Sequence, residues 1–198
     1  MDQQLLRQLV RSIEALPPKH FNKVIGIDGL GASGKTTIAR EIQKLHPKSS
    51  IVHTDEFYKP FAERNPAPLV NGATVSVDFD WDRFEDQVLK AVRRNLLVKY
   101  ERYDWRADRW DNWVEIPPEN WIIIVGVYAL QSRFFTVYDY SIWCEVPKEI
   151  RLRRMVEREG EIVAHEWLEK WSGREENYLA LEGPDKRAAS TILANTSG

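Results

Sequence analysis

Cysteine is almost absent from this chain. Cys144 is the single one in 198 residues, which excludes an intrachain disulfide framework and fits a reducing compartment. An excess of basic charge is missing too. There are 28 Lys and Arg against 30 Asp and Glu, a formal net charge of −2. A nucleic-acid footprint would need strong local segregation of charge, so no nucleic-acid partner is expected. Long apolar runs are lacking: the longest, WIIIVGVYAL at 121–130, falls well short of the roughly 20 residues that a membrane span requires. Residues 1–18, MDQQLLRQLVRSIEALPP, carry no apolar block followed by a small-residue cleavage site, so a cytoplasmic location without membrane attachment is expected. His20, His46, His53 and His165 have no metal-ligand spacing with a Cys or Asp partner, so no zinc site is read. No repeat or low-complexity tract is evident.

What remains is an ordinary globular composition, 43% hydrophobic and 29% charged, at a length that suggests one domain with a small lid. Helical spacing of Leu5, Leu6, Leu9, Val10, Ile13 and Leu16 predicts a helix over 3–16, stopped by Pro17 and Pro18. KVIGID (23–28) reads as a buried strand, with a helix over about 35–45 after a glycine loop. SIVHTD (50–55) reads as a second strand. Residues 56–77, with three prolines and no period, read as an excursion. A helix follows over about 82–95. LLVKYERYDW reads as one or two strand pieces, and 100–120 as an insertion. WIIIVGVYAL and YSIWCEV (140–146) read as strands. PKEIRLRRMVEREG reads as a helix opened by Pro147 and closed by Gly160, then helix again over 161–182 and a weak strand at 188–193. Strands separated by helices predict an α/β fold, a mainly parallel sheet with helices on both faces.

Residues 27–37, IDGLGASGKTT, contain G-x-x-x-x-G-K-T from Gly29 to Thr36. A strand precedes this run and a helix follows, the context of a phosphate-binding loop. Glycines let successive backbone N–H groups turn toward phosphate oxygens, aided by the N-terminus of the following helix. Gly29, Gly31, Ala32, Ser33, Gly34, Lys35, Thr36 and Thr37 are therefore the nucleotide-binding candidates. Lys35 would reach the β- and γ-phosphates, and the Thr36 hydroxyl would bind Mg²⁺. The expected cofactors are ATP or GTP with Mg²⁺. The chain lacks the motif set of protein kinases and the N-K-x-D base reader of GTPases, which leaves transfer to a small hydroxyl compound by elimination.

Asp55 ends the second predicted strand, at the edge where ligands of open parallel sheets sit. It could take a proton from an attacking hydroxyl and lie near the metal, or it could simply cap the turn EFYK. Position alone leaves both open. Arg151, Arg154 and Arg158 share one face of the basic helix. By composition that face could equally be solvated and paired with Glu149, Glu157 and Glu161.

The ordered set GASGKTT, HTDEFYKP, DFDWDRFE, RYDW and RLRRMVERE resembles the uridine kinase family, notably its small bacterial uridine kinase-like members, over about residues 22–190. The resemblance implies a P-loop nucleoside kinase fold with a short Arg-bearing lid at about 151–162. It implies Asp55 as base for a nucleoside 5′-hydroxyl, Asp80 as partner of ribose hydroxyls, Tyr103 and Trp105 beside the base, and Arg154 and Arg158 as lid arginines. Arg109 is a further acceptor-side candidate. The family's frequent oligomers leave a homo-oligomer open.

Three positions depart from the family. Val125 precedes Gly126 where uridine kinases carry a glutamate that helps hold Mg²⁺ through its waters. YDWRADRW has Arg106, Asp108 and Arg109 but no histidine to read a pyrimidine. Met155 stands where longer members have another arginine. Asp55 would then carry more of the metal's load. Beside uridine or cytidine phosphorylation stand two alternatives: a kinase of another hydroxyl metabolite, such as a sugar, a sugar phosphate or pantothenate, and a nucleotide-binding protein whose transfer is weak because of Val125. Extra arginines at 106 and 109 would suit an acceptor with its own phosphate or carboxylate. Core packing is expected for Cys144, His53 and all eight tryptophans except Trp105.

Overall fold

The computed structural model describes residues 3–64, 77–118 and 120–193. Part of the expected 56–77 excursion, residues 65–76, therefore lies outside the described residues. Helix α1 (Gln3–Ala15) packs Leu6, Val10 and Ile13 inward and leads to β1 (Lys23–Asp28). Lys23 folds back to donate from Nζ to the carbonyls of Ile13, Glu14 and Leu16, at 2.6, 2.9 and 2.6 Å. Those are carbonyls of the helix end, which the helix itself cannot satisfy, so a strand lysine fixes how α1 meets the sheet.

After the glycine loop come α2 (Lys35–Leu45), β2 (Ser49–His53) and a 3₁₀ turn, Thr54–Phe57. Asp55 thus sits two residues beyond the strand, in the turn, not in the strand. Helices α3 (Trp81–Phe84) and α4 (Lys90–Arg93) flank a π-helical turn, Glu85–Leu89. The expected insertion at 100–120 is instead largely a two-stranded antiparallel hairpin, β3 (Val98–Asp104) and β4 (Arg109–Ile116). The reading of LLVKYERYDW as strand holds for β3, while in β4 the charges of Arg109, Asp111 and Glu115 break up the apolar pattern. The hairpin also corrects the tryptophan expectation: Trp110 and Trp113 are 44% and 53% exposed on β4.

Strands β5 (Trp121–Val125), β6 (Tyr140–Glu145) and β7 (Ser190–Leu193) complete a five-stranded sheet of order β2-β5-β1-β6-β7, with every neighbouring pair parallel. β5 is half the length of its apolar run, because the chain turns away at Gly126. A side chain there would meet Thr54 Oγ1 at 1.7 Å, so only glycine lets β5 leave the sheet beside the β2 turn. Successive residues of β5 face opposite layers, as a pleated strand requires. Ile123 and Val125 pack with α1 and α2, while Ile122 and Ile124 pack with Phe84, Val88 and Tyr178. Helices α5 (Lys148–Glu159), α6 (Glu161–Trp167), α7 (Gly173–Glu182) and α8 (Pro184–Arg187) connect β6 to β7, with a π turn at Leu168–Ser172 between α6 and α7.

Candidate active site

The glycine loop runs from the carboxyl end of β1 into α2, so the following helix aims its first N–H groups at whatever the loop holds. Ala32 takes a left-handed backbone (φ 61), as does Gly34 (φ 89). Lys35 opens α2 and donates from Nζ to the Leu30 carbonyl at 3.3 Å, bridging the loop.

One residue before the loop, Asp28 is wholly buried, and the sequence reading passed over it. Its carboxylate accepts from the backbone N–H of Gly29 and Leu130, at 2.6 and 2.8 Å, and from the Tyr178 hydroxyl at 2.6 Å. Burial pushes its pKa up to about 6 against those hydrogen bonds. No spacing rule marks such a residue, because its partners are 102 and 150 positions away.

A cavity of about 770 Å³ opens at the carboxyl ends of β1, β2 and β5. One wall is the loop and the start of α2, with Gly31, Ala32, Lys35, Thr36, Thr37 and Arg40. His53 at the end of β2 and Asp55 and Glu56 of the turn after it also line the cavity. Tyr58, Phe79, Tyr103 and Trp105 form an aromatic side. Tyr58 lies 4.0 Å from Phe79 and 5.6 Å from Trp105 between ring centroids. From α5 come Met155, Arg158 and Glu159, and from the segment after it Trp167 and Trp171.

Asp55 is open to the cavity yet surrounded by protein. That desolvation raises its pKa, with Lys35 and His53 pulling the other way, and a carboxylate so placed is a stronger proton acceptor. His53 is half-buried and faces the cavity rather than the core. Burial lowers its pKa, Asp55 opposes that, and Arg40, Lys35 and Arg102 add to it, so the imidazole is neutral near pH 7. Glu56 accepts the Tyr100 hydroxyl at 2.6 Å.

The cavity brings together Gly31, Ala32, Lys35, Thr36, Thr37, Asp55, Tyr103, Trp105 and Arg158. Gly29, Ser33 and Gly34 form the loop behind that wall. Arg154 reaches the Ala32 carbonyl at 3.5 Å. Arg151, the third arginine of the expected face, is instead buried against the loop. Asp80 caps α3, accepting the Arg83 N–H at 3.0 Å and pairing with its guanidinium at 3.5 Å, and does not line the cavity. Arg109 is exposed at the head of β4, paired in register with Asp104, and also lies off the cavity wall. Arg106 is committed to Glu159, at 3.0 Å, which joins the hairpin to the end of α5.

Thr36 and Asp55 offer oxygen donors in the cavity that Lys35 also lines, and among the described residues no cluster of three or more potential His, Cys, Asp or Glu ligands adds to them. That donor set fits Mg²⁺, which keeps several waters and is held by one or two protein oxygens together with substrate phosphates.

A parallel sheet of this kind, with a phosphate-holding loop after its first strand and a cavity beyond the strand ends, defines a P-loop kinase. Comparison with known proteins bears on which one. No family model matches the chain. It is 31% identical to a uridine kinase of Borrelia hermsii over 144 residues, covering 69% of this chain and 67% of that one. A uridine kinase of Halobacterium salinarum is 26% identical over 187 residues, 85% of this chain and 78% of that one. In fold it matches a possible uridine kinase from Bacillus stearothermophilus, with a TM-score of 0.72 and 21% identity over 97% of this chain and all of that one. A D-glycerate 3-kinase of Cryptococcus neoformans shares the fold at a TM-score of 0.55 and 14% identity, over 88% and 87% of the two chains. The chain belongs to the uridine kinase family and is a small-molecule kinase.

Proposed function

We propose that the protein transfers the γ-phosphate of ATP or GTP to the 5′-hydroxyl of uridine or cytidine. The observation that supports this reading is that Asp55 lines one cavity together with Lys35 and Thr36 of the loop and the aromatic residues Tyr58, Phe79, Tyr103 and Trp105. In this reading the phosphates lie against the loop and a flat nucleobase against the aromatic residues, with the attacking hydroxyl at Asp55. Asp55 accepts the proton of the attacking hydroxyl. Lys35 balances charge on the phosphoryl oxygens, and Arg154 and Arg158 close over the group in flight. Mg²⁺, held by Thr36 and Asp55, would supply neutralisation of phosphate charge. Transfer of this type depends on positioning and charge stabilisation more than on covalent participation.

Uridine kinases of the two organisms above support the choice of acceptor. The alternative of an acceptor with its own anionic group keeps part of its motive: Arg109 lies off the cavity, but Arg106 lines it while paired with Glu159. The alternative of weak transfer retains one, because Val125 lines the cavity wall without a carboxylate. Chromatography of the products from ATP and uridine tests the proposal: uridine 5′-monophosphate supports it, and a nucleoside left intact beside bound ATP contradicts it.

A further inference from the structure

Three helices converge on Gly31. Its N–H donates to Glu175 Oε2 at 2.7 Å, and its carbonyl accepts from Arg151 Nη1 at 3.4 Å. The indole N–H of Trp167 donates to the other oxygen of Glu175 at 3.2 Å. Arg151 lies 3.7 Å from Glu175, with its guanidinium over the Trp167 ring. All three side chains are buried, Arg151 at 4% and Trp167 and Glu175 at 5% exposed. They come from α5, α6 and α7 in turn. A Cβ at Gly31 would lie 2.7 Å from Trp167 Nε1 and 2.9 Å from Glu175 Oε1, so the contact admits only glycine.

Packing alone gives no reason for charge here, since apolar side chains of similar volume often stabilise as much as a buried ion pair. The distinctive result of this arrangement is directional. The Gly31 N–H belongs to the peptide plane before the residue and its carbonyl to the plane after it, so both planes are held. The next residue is Ala32, whose left-handed backbone is unfavourable without such support. Three positions along the same face of α7, Tyr178 holds Asp28 at the start of the loop. One helix therefore grips the loop at two points.

We propose that Glu175 is a positioning residue for phosphate transfer. With Arg151 it fixes both peptide planes flanking Gly31, so the phosphate loop keeps its nucleotide-binding shape when α5, α6 and α7 are docked. This inference rests on the kinase reading but not on the identity of the acceptor.

The test is ATP affinity and steady-state kinetics of Glu175→Gln and Glu175→Ala, with Glu176→Gln as control. Glu176 is on the same helix and pairs with Lys148 at the surface. Glu175→Gln keeps the shape and one acceptor oxygen but loses the charge. Its ATP dissociation constant is expected to rise about tenfold, as for one impaired buried hydrogen bond, and that of Glu175→Ala further. The acceptor KM and the control variant stay at wild-type values. A merely structural glutamate would lower the melting temperature and leave ATP affinity of the folded protein unchanged, which would overturn the proposal. In the wild-type protein the Gly31 amide is expected to resist hydrogen exchange without nucleotide; exchange as fast as in exposed loops would overturn it without any variant. If wild type binds ATP but transfers to no acceptor, the kinase reading fails, while the affinity comparison still decides the role of Glu175.

Discussion

Val125 is the in-register partner of His53 in the β2–β5 ladder, and it is fully buried at the last position of β5. Two residues beyond His53 is Asp55. An isopropyl group therefore occupies the sheet end where uridine kinases place a glutamate, and it cannot attract a cation or accept a hydrogen bond. Val125→Glu should lower the Mg²⁺ concentration needed for half-maximal turnover and raise the rate. It should also lower the melting temperature in metal-free buffer, where the new carboxylate is buried without a partner. A Mg²⁺ titration unchanged from wild type would show that Asp55 and Thr36 suffice.

Lys35 bridges the loop to the Leu30 carbonyl, and among the described residues the structure gives no ion pair for it within the cavity wall. Lys35→Ala should weaken ATP binding about ten- to a hundredfold, the range for a charge-assisted hydrogen bond, with little change in melting temperature. Calorimetric titration of ATP measures it.

Asp28 makes a pH-dependent contribution with a definite sign. Its pKa is raised from 3.8 to about 6, so the folded protein holds this proton more tightly than the unfolded chain does. The resulting stabilisation is fully present below the lower value and is lost as pH rises through about 6. Asp28→Asn removes that dependence. The melting temperature of wild type should therefore fall relative to the Asn variant between pH 5 and pH 7.5, as read by thermal denaturation across pH. Parallel curves would show that the group does not titrate in this window.

Glu159 receives both Arg106 from the hairpin and Arg158 of its own helix, each at 3.0 Å. Glu159→Gln should loosen the hairpin from α5 and raise KM for both substrates a few-fold. Stability should change by no more than about 1 kcal/mol, because the arginines are well exposed. Steady-state kinetics and a thermal melt together separate the two effects.

The parts of the molecule legible in the sequence were those written in short-range pattern. The periodicity of α1, the apolar run of β1 and the loop-to-helix transition at Lys35 each depend on neighbours within a few residues, and they appear where expected. Of the β3–β4 hairpin, β3 appears where the strand reading of LLVKYERYDW puts it, while β4 escaped because its polar and charged residues break the apolar alternation that marks a strand. Asp28 and Glu175 escaped for a different reason, as did the part played by Arg151, read as one of three arginines on a shared helix face. Asp28 borders the loop but meets its partners Leu130 and Tyr178 from 102 and 150 positions away, and Arg151 and Glu175 reach Gly31 from 120 and 144 positions away. Asp80 and Arg109 show the converse: a motif position gives a residue's place in the chain, and the fold sets which partner its side chain meets.

Mg²⁺-dependent ATP consumption, measured with wild type and Asp55→Asn against a panel of nucleosides, sugars and sugar phosphates, tests the central claim most directly. Consumption should appear only when uridine or cytidine is added. It should fall about a hundred- to ten-thousandfold in Asp55→Asn, the contribution of a positioned general base, while ATP still binds. Stimulation by a sugar or sugar phosphate in place of the pyrimidine nucleosides, or an Asp55→Asn variant as active as wild type, would contradict the account.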